Sequence, residues 1–202
     1  MDKFLPFSSS MTGGVLLLGV PDAMFVALIV YFICMPLLFR RKRAGQKVLL
    51  CLLFLYIGAL AALTMRFVLP TAWHISAENT RWALHCINWT PLQSSLQIWQ
   101  NCLSIGDMGE FIRIVVGNFV MLMPLGILVP MLDRRFRFGK TLLLGMGVSL
   151  SIELLQLLGN MLGGAVARSV EIDDVILNVL GCAAAYLILA ACRRLFGRKR
   201  RR

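Results

Sequence analysis

The sequence contains no H-E-x-x-H pair, no G-x-S-x-G elbow and no phosphate-cradling glycine loop of Walker type. It therefore carries none of the usual signatures of zinc hydrolases, serine hydrolases or P-loop enzymes. Only two histidines occur, His74 and His85, and neither stands at a ligand-like spacing from a cysteine. Six cysteines do not make a disulfide scaffold in so apolar a chain. Cys34, Cys51, Cys182 and Cys192 fall within or at the ends of apolar runs, where they read as small hydrophobes. Cys86 and Cys102 share one loop, where pairing and free thiols are both open readings. No internal repeat and no soluble domain is evident.

What the chain has in abundance is apolar sequence. Of its 202 residues 58% are hydrophobic, and the mean hydropathy is +0.77, more than a soluble core of this size requires. The formal net charge of +11 would suit a nucleic-acid partner. Nearly all the Lys and Arg, however, sit in short clusters between long apolar runs, which is how a chain sets its orientation in a bilayer. The expected partner is thus the lipid bilayer, with no nucleic acid.

A helix needs about 20 largely apolar residues to cross the hydrocarbon core. Five stretches qualify, at about 15–39, 48–69, 111–132, 141–162 and 175–195. The first is too long for a signal-peptide core and ends in Arg40-Arg41-Lys42-Arg43, so it reads as an uncleaved anchor. The expected fold is all-α, a polytopic membrane protein with about five transmembrane helices. The 40–47 loop, the 134–140 loop and the tail from Arg193 hold 16 of the 21 basic residues, all on one side of such a bundle. The positive-inside rule then gives an outside N-terminus and an inside C-terminus. The same tail could contact anionic lipid of the inner leaflet.

The chain divides into a two-helix portion (1–70), an outer interfacial loop (71–110), a three-helix core (111–196) and a basic cytoplasmic tail (197–202). The loop carries Trp73, Trp82, Trp89 and Trp99 and a Gln/Asn-rich stretch from Gln93 to Asn101. Tryptophan favours the membrane–water interface, so the loop is expected to lie on the outer surface, partly as a short amphipathic helix.

Polar residues within membrane helices are costly and mark functional candidates. On the fourth helix Ser149, Glu153, Gln156 and Asn160 recur at spacings of four, three and four, within about 60° of one another. Such a stripe must face the bundle interior or a water-filled cavity. Glu153 lies roughly 13 Å from the outer end at 1.5 Å per residue. The fifth helix opens with Glu171, Asp173 and Asp174, acids that also suit the positive end of a helix dipole. Asp174, Asn178, Gly181 and Ala185 continue along one face, the last two small enough for close helix contact. The third helix adds Arg113 and Asn118, then Pro124, at which a kink is expected. Arg168 is the natural cation for this set, its planar fork suited to carboxylate or phosphate. Asn118, Glu153, Gln156, Arg168, Asp173, Asp174 and Asn178 are therefore the candidate ligand-binding residues. The alternative is that their hydrogen bonds merely hold the helices together. Asp173, Asp174 and Glu153 could hold a hard divalent cation, but no spacing rule ties them, and no metal site or cofactor is assigned.

These residues also carry a family resemblance. Asn88-Trp89-Thr90-Pro91-Leu92 matches an N-x-x-P-[FL] element, and Asn118 through Pro124-Leu125-Gly126 an N-x5-P-L-G helix. Ser149, Ile152, Glu153 and Gln156 match S-x-x-I-E-x-x-Q. Arg168, Glu171, Asp173, Asp174, Asn178 and Gly181 match R-x-x-D-x-D-D-x3-N-x-x-G. The chain resembles the VanZ-like family over about 88–190, with Glu171 in place of a usual Asp and Leu122 where an aromatic is common. The first two helices lie outside the resemblance as read from these motifs. The resemblance implies a multi-pass protein of the bacterial cytoplasmic membrane whose relatives can reduce susceptibility to teicoplanin-type glycopeptides. It implies no particular reaction.

Three functional expectations follow. One is a protein that binds or modifies an outer-leaflet amphiphile, such as a lipid-linked wall precursor or a lipoglycopeptide. Another is a membrane-embedded hydrolase or transferase, with Glu153 as general base, Arg168 as phosphate clamp and Asp173/Asp174 as possible metal ligands; its candidate catalytic residues are Glu153, Arg168 and Asp174. The third is a small transporter or a structural partner. Five helices without an inverted repeat are few for a self-contained carrier, which would then need an oligomer.

Overall fold

The computed structural model describes residues 19–64, 75–162 and 169–199. Arg168, Trp73, His74 and the last three arginines lie outside the described residues. Among the described residues, five helical segments are long and apolar enough to cross a membrane. They are α1 (Val20–Leu38), α2 (Ala44–Thr64), a composite third span (Gly109–Leu132), α8 (Phe138–Met161) and α9 (Ile172–Lys199), of which Ile172–Phe196 is the apolar part. The all-α multi-pass reading is correct, and the boundaries fall within a few residues of the hydropathy runs. Large apolar side chains such as Phe25, Ile29, Phe32 and Leu154 are exposed along these helices, as lipid contact requires.

The loop between the second and third spans holds more structure than one amphipathic helix. It forms α3 (Ala77–His85), a two-residue strand β1 (Ile87–Asn88) and α4 (Gln93–Ile105). Ser76 caps α3, its hydroxyl accepting the Asn79 N–H at 3.0 Å. Gly106, at φ 77°, ends α4 with its N–H on the Cys102 carbonyl at 2.9 Å, a left-handed position that glycine takes without strain. Strand β1 pairs in parallel with β2 (Val170–Glu171), Ile87 opposite Val170 and Asn88 opposite Glu171. All six cysteines are free thiols. Burial pushes the Cys86 thiol above its ordinary pKa.

The third span is broken twice. A short α5 (Gly109–Phe111) runs into a π-helical stretch at Ile112–Val116, then α6 (Gly117–Met121), and after Leu122 the helix restarts as α7 (Met123–Leu132). Pro124 sits in the first turn of α7, where its missing N–H costs nothing, so the expected kink takes the form of a restart at Leu122. The break is buried. Leu122 is fully enclosed with Leu60, Ile152 and Cys182, and the Tyr56 hydroxyl donates to the Met121 carbonyl at 3.0 Å. Leu122 is thus a core residue.

Glycines set the close crossings. A Cβ on Gly58 of α2 would stand 2.7 Å from the Ala23 carbonyl oxygen of α1. One on Gly126 would overlap the Cys182 carbonyl of α9, and one on Gly181 the Phe119 carbonyl of α6. The third span and α9 run in the same direction with backbones almost touching, as small residues permit in membrane helices. At the end of the bundle carrying the basic loops, the Arg193 guanidinium donates to the Pro130 carbonyl at 3.1 Å. The segments α3, α4 and β1–β2 gather at the opposite end.

Candidate functional site

The crossing at Gly181 aligns the start of α9 with the first half of the third span. It brings Asn118 of α6 onto Asp174 in the first turn of α9, with the Asn118 amide donating to the Asp174 carboxylate. Both side chains are half-buried. The π-helical stretch immediately before Gly117 changes the helical phase that delivers Asn118 to this contact; such bulges recur at functional positions.

One turn further along α9, Asn178 is fully buried and donates to the Ser149 hydroxyl of α8 at 2.9 Å. Its amide oxygen finds no donor among the described residues.

The polar stripe on α8 does face the protein. Ser149, Glu153 and Asn160 are buried and Gln156 is half-buried. Three of them reach different elements. Ser149 meets α9, Glu153 accepts the Glu171 N–H of β2 at 3.2 Å, and Gln156 donates to the Thr64 carbonyl at the end of α2 at 3.1 Å. One helix face thus ties together the second span, the β pair and the last span.

Asp173 has a different task. One carboxylate oxygen accepts the Leu92 N–H; the other accepts the Ser95 N–H at 2.9 Å and the Ser95 hydroxyl at 2.8 Å. Leu92, at φ 63°, is the N-cap position of α4 and offers no side-chain cap of its own. Asp173 therefore caps α4 from another helix, its negative charge set against the exposed N–H groups of the first turn. Asn88 shapes the approach. Its side-chain oxygen accepts the Thr90 N–H at 3.0 Å and its side-chain nitrogen donates to the Ser94 hydroxyl at 2.7 Å. The motif around 88–92 and the acidic motif at 171–174 are two halves of one clasp.

Of the seven candidate residues, the structure pairs Asn118 with Asp174 and Asn178 with Ser149. It commits Asp173 to α4, Glu153 to β2 and Gln156 to α2. Arg168 lies outside the described residues. Two partly or wholly enclosed carboxylates, Asp174 and Glu153, together with the Asn178 amide oxygen, supply acceptors suited to hydroxyl, amide or ammonium donors. Among the described residues no three His, Cys, Asp or Glu side chains gather as a metal site. Residues that sequence reasoning left out are Ser95 and the Leu92 backbone, which hold Asp173, and Tyr56, which holds the break of the third span. The Ser94-Ser95 pair just after Pro91 was the available signal, since short hydroxyls favour a helix's first turn.

A family model, VanZ/LLP1, matches residues 53–193, beginning inside α2 and ending near the end of α9. No curated protein and no solved structure matches the chain.

Proposed function

The chain belongs to the VanZ/LLP1 family, and from that premise we propose that it binds or modifies an amphiphile of the outer leaflet of the bacterial cytoplasmic membrane. The amphiphile is of the class of lipid-linked wall precursors or lipid-anchored glycopeptides, and the consequence is lowered susceptibility to teicoplanin-type drugs. The observation that carries this is the Asn118–Asp174 pair, held at the bundle end remote from the basic loops beside the Trp-bearing α3–α4 segment. With the basic loops inside, that end faces outward. The Asn178 oxygen one turn deeper, which meets no donor among the described residues, supports a role for this region in recognition.

The test is teicoplanin susceptibility of a sensitive bacterial host. It would express wild type, Glu153→Gln, Arg168→Ala or Asp174→Asn at matched membrane levels. Wild type should lower susceptibility and the variants should lose most of that effect. Equal protection by all four would make the cluster purely structural, and no effect of the wild type would sink the drug-related reading. A second reading, a hydrolase or transferase of lipid-linked intermediates, is favoured by the nearly buried Glu153 carboxylate as a general base. It differs in requiring turnover of a labelled envelope lipid by the purified protein.

A further inference from the structure

The surface of α4 is divided into three sectors. Ser94, Ser95, Ile98 and Cys102 turn toward the protein, Cys102 being fully buried. Gln93, Gln97, Gln100, Asn101 and Ser104 form an exposed polar sector. Leu96, Trp99 and Leu103 form an exposed apolar one within about 60° of the helix circumference at 100° per residue, while Ile105, also exposed, lies on the other side at the helix's last position. A helix packed on a protein and otherwise bathed in water needs only the first two sectors. The third, in which Leu103 is 59% exposed, calls for a non-aqueous cover.

The neighbouring chain identifies that cover. The Trp99 ring packs edge-on against Phe111, with centroids 5.1 Å apart and planes at 66°. Phe111 belongs to the first turn of the third membrane span, and below it Ile112, Val116 and Val120 form an exposed apolar row at successive i, i+4 positions. The apolar sector of α4 is thus continuous with a surface that the bilayer must cover if the span crosses it. We infer that α4 lies in the plane of the membrane interface, its Leu96–Trp99–Leu103 stripe sunk among the acyl chains of the leaflet at that end and its glutamine row facing water. Tryptophan at the boundary and apolar side chains below it are the arrangement by which interfacial helices are held. Because Asp173 caps α4, this placement also sets Asp173, and the adjoining Asp174, at the level of the lipid headgroups. The inference stands whether or not the drug-related effect is observed.

The test uses the full-length protein with Trp99 as its one tryptophan (Trp73, Trp82 and Trp89 replaced by Phe) in phosphatidylcholine/phosphatidylglycerol vesicles. Acyl chains brominated close to the headgroup should at least halve Trp99 emission, while aqueous iodide should quench it little. Quenching by iodide to the extent seen for free indole overturns the inference. Protection from both quenchers also overturns it, pointing to a protein cover such as a second copy. If the triple replacement does not fold, Gln100→Cys and Leu103→Cys in the otherwise native chain give the same answer. In vesicles an impermeant maleimide should label Gln100→Cys at least tenfold faster than Leu103→Cys, after subtracting the wild-type background; equal rates refute the placement.

Discussion

Replacing Gly181 by alanine tests the idea that one backbone crossing positions the Asn118–Asp174 pair. The added Cβ would overlap the Phe119 carbonyl oxygen and stand 2.8 Å from its carbon, whereas ordinary contact begins at 3.4 Å. No flexible side chain can yield, because the obstacle is backbone, so α9 and α6 must part. Asn118 precedes Phe119 directly, and its amide reaches Asp174 two turns before Gly181 on the same helix; parting stretches that bond. Overpacking of this kind costs about 1–3 kcal/mol, and a hydrogen bond to a charged acceptor is worth about 1.5–3 kcal/mol. Alanine's better helix propensity offsets about 1 kcal/mol. The expected net loss is roughly 2–5 kcal/mol, readable as a lowered midpoint in denaturing-detergent titration or thermal unfolding. Gly147, whose Cβ would meet nothing within 4 Å, is the matched control, and Gly147→Ala should be neutral or slightly stabilising. If Gly181→Ala unfolds at the wild-type midpoint, the close crossing is not what holds these helices together.

Two further predictions concern the clasp and its neighbourhood. Asp173→Ala removes the carboxylate that accepts the Leu92 and Ser95 N–H groups at the start of α4 and should cost about 0.5–2 kcal/mol, with Asp173→Asn milder; a spin label on α4 should become more mobile in the same order, and unchanged mobility in both would argue against the cap. Because burial raises the Cys86 pKa, its thiolate is scarcer at neutral pH than that of a free cysteine. Its maleimide reaction should be slower than a model thiol's near neutrality and reach half its maximal rate at a higher pH; a profile matching the model thiol would refute that burial effect.

The five spans were legible because hydrocarbon leaves little choice of composition, and the α8 stripe because a polar face within such a helix must turn inward. That α9 would come close to some neighbouring helix could be read from the small residues Gly181 and Ala185; that the neighbour is the third span could not. What could not be read was which element each polar group would meet. Glu153 ends on the backbone of β2 and Gln156 on the end of α2, and these partners follow from how segments distant in sequence fold over one another. The two breaks in the third span were half legible. Pro124 announced one, while nothing in Ile112–Val116 distinguishes a π-helical turn from an α-helical one. Asp173 looked like a ligand because its chemistry is that of a ligand; it is occupied by a helix end whose own cap position holds a leucine.

The clasp also has a consequence for the order in which the protein is made. Asp173 and its partners at Leu92 and Ser95 are 81 and 78 residues apart, and two membrane spans are synthesised between them. At about 5–20 residues per second the first half waits on the order of 4–16 s for the second to emerge. Until then α4 has no acid for its first turn, and β1 has no strand beside it. The joint closes only on a chain that has reached the final helix, so a product truncated before Asp173 is left with an open seam at this end.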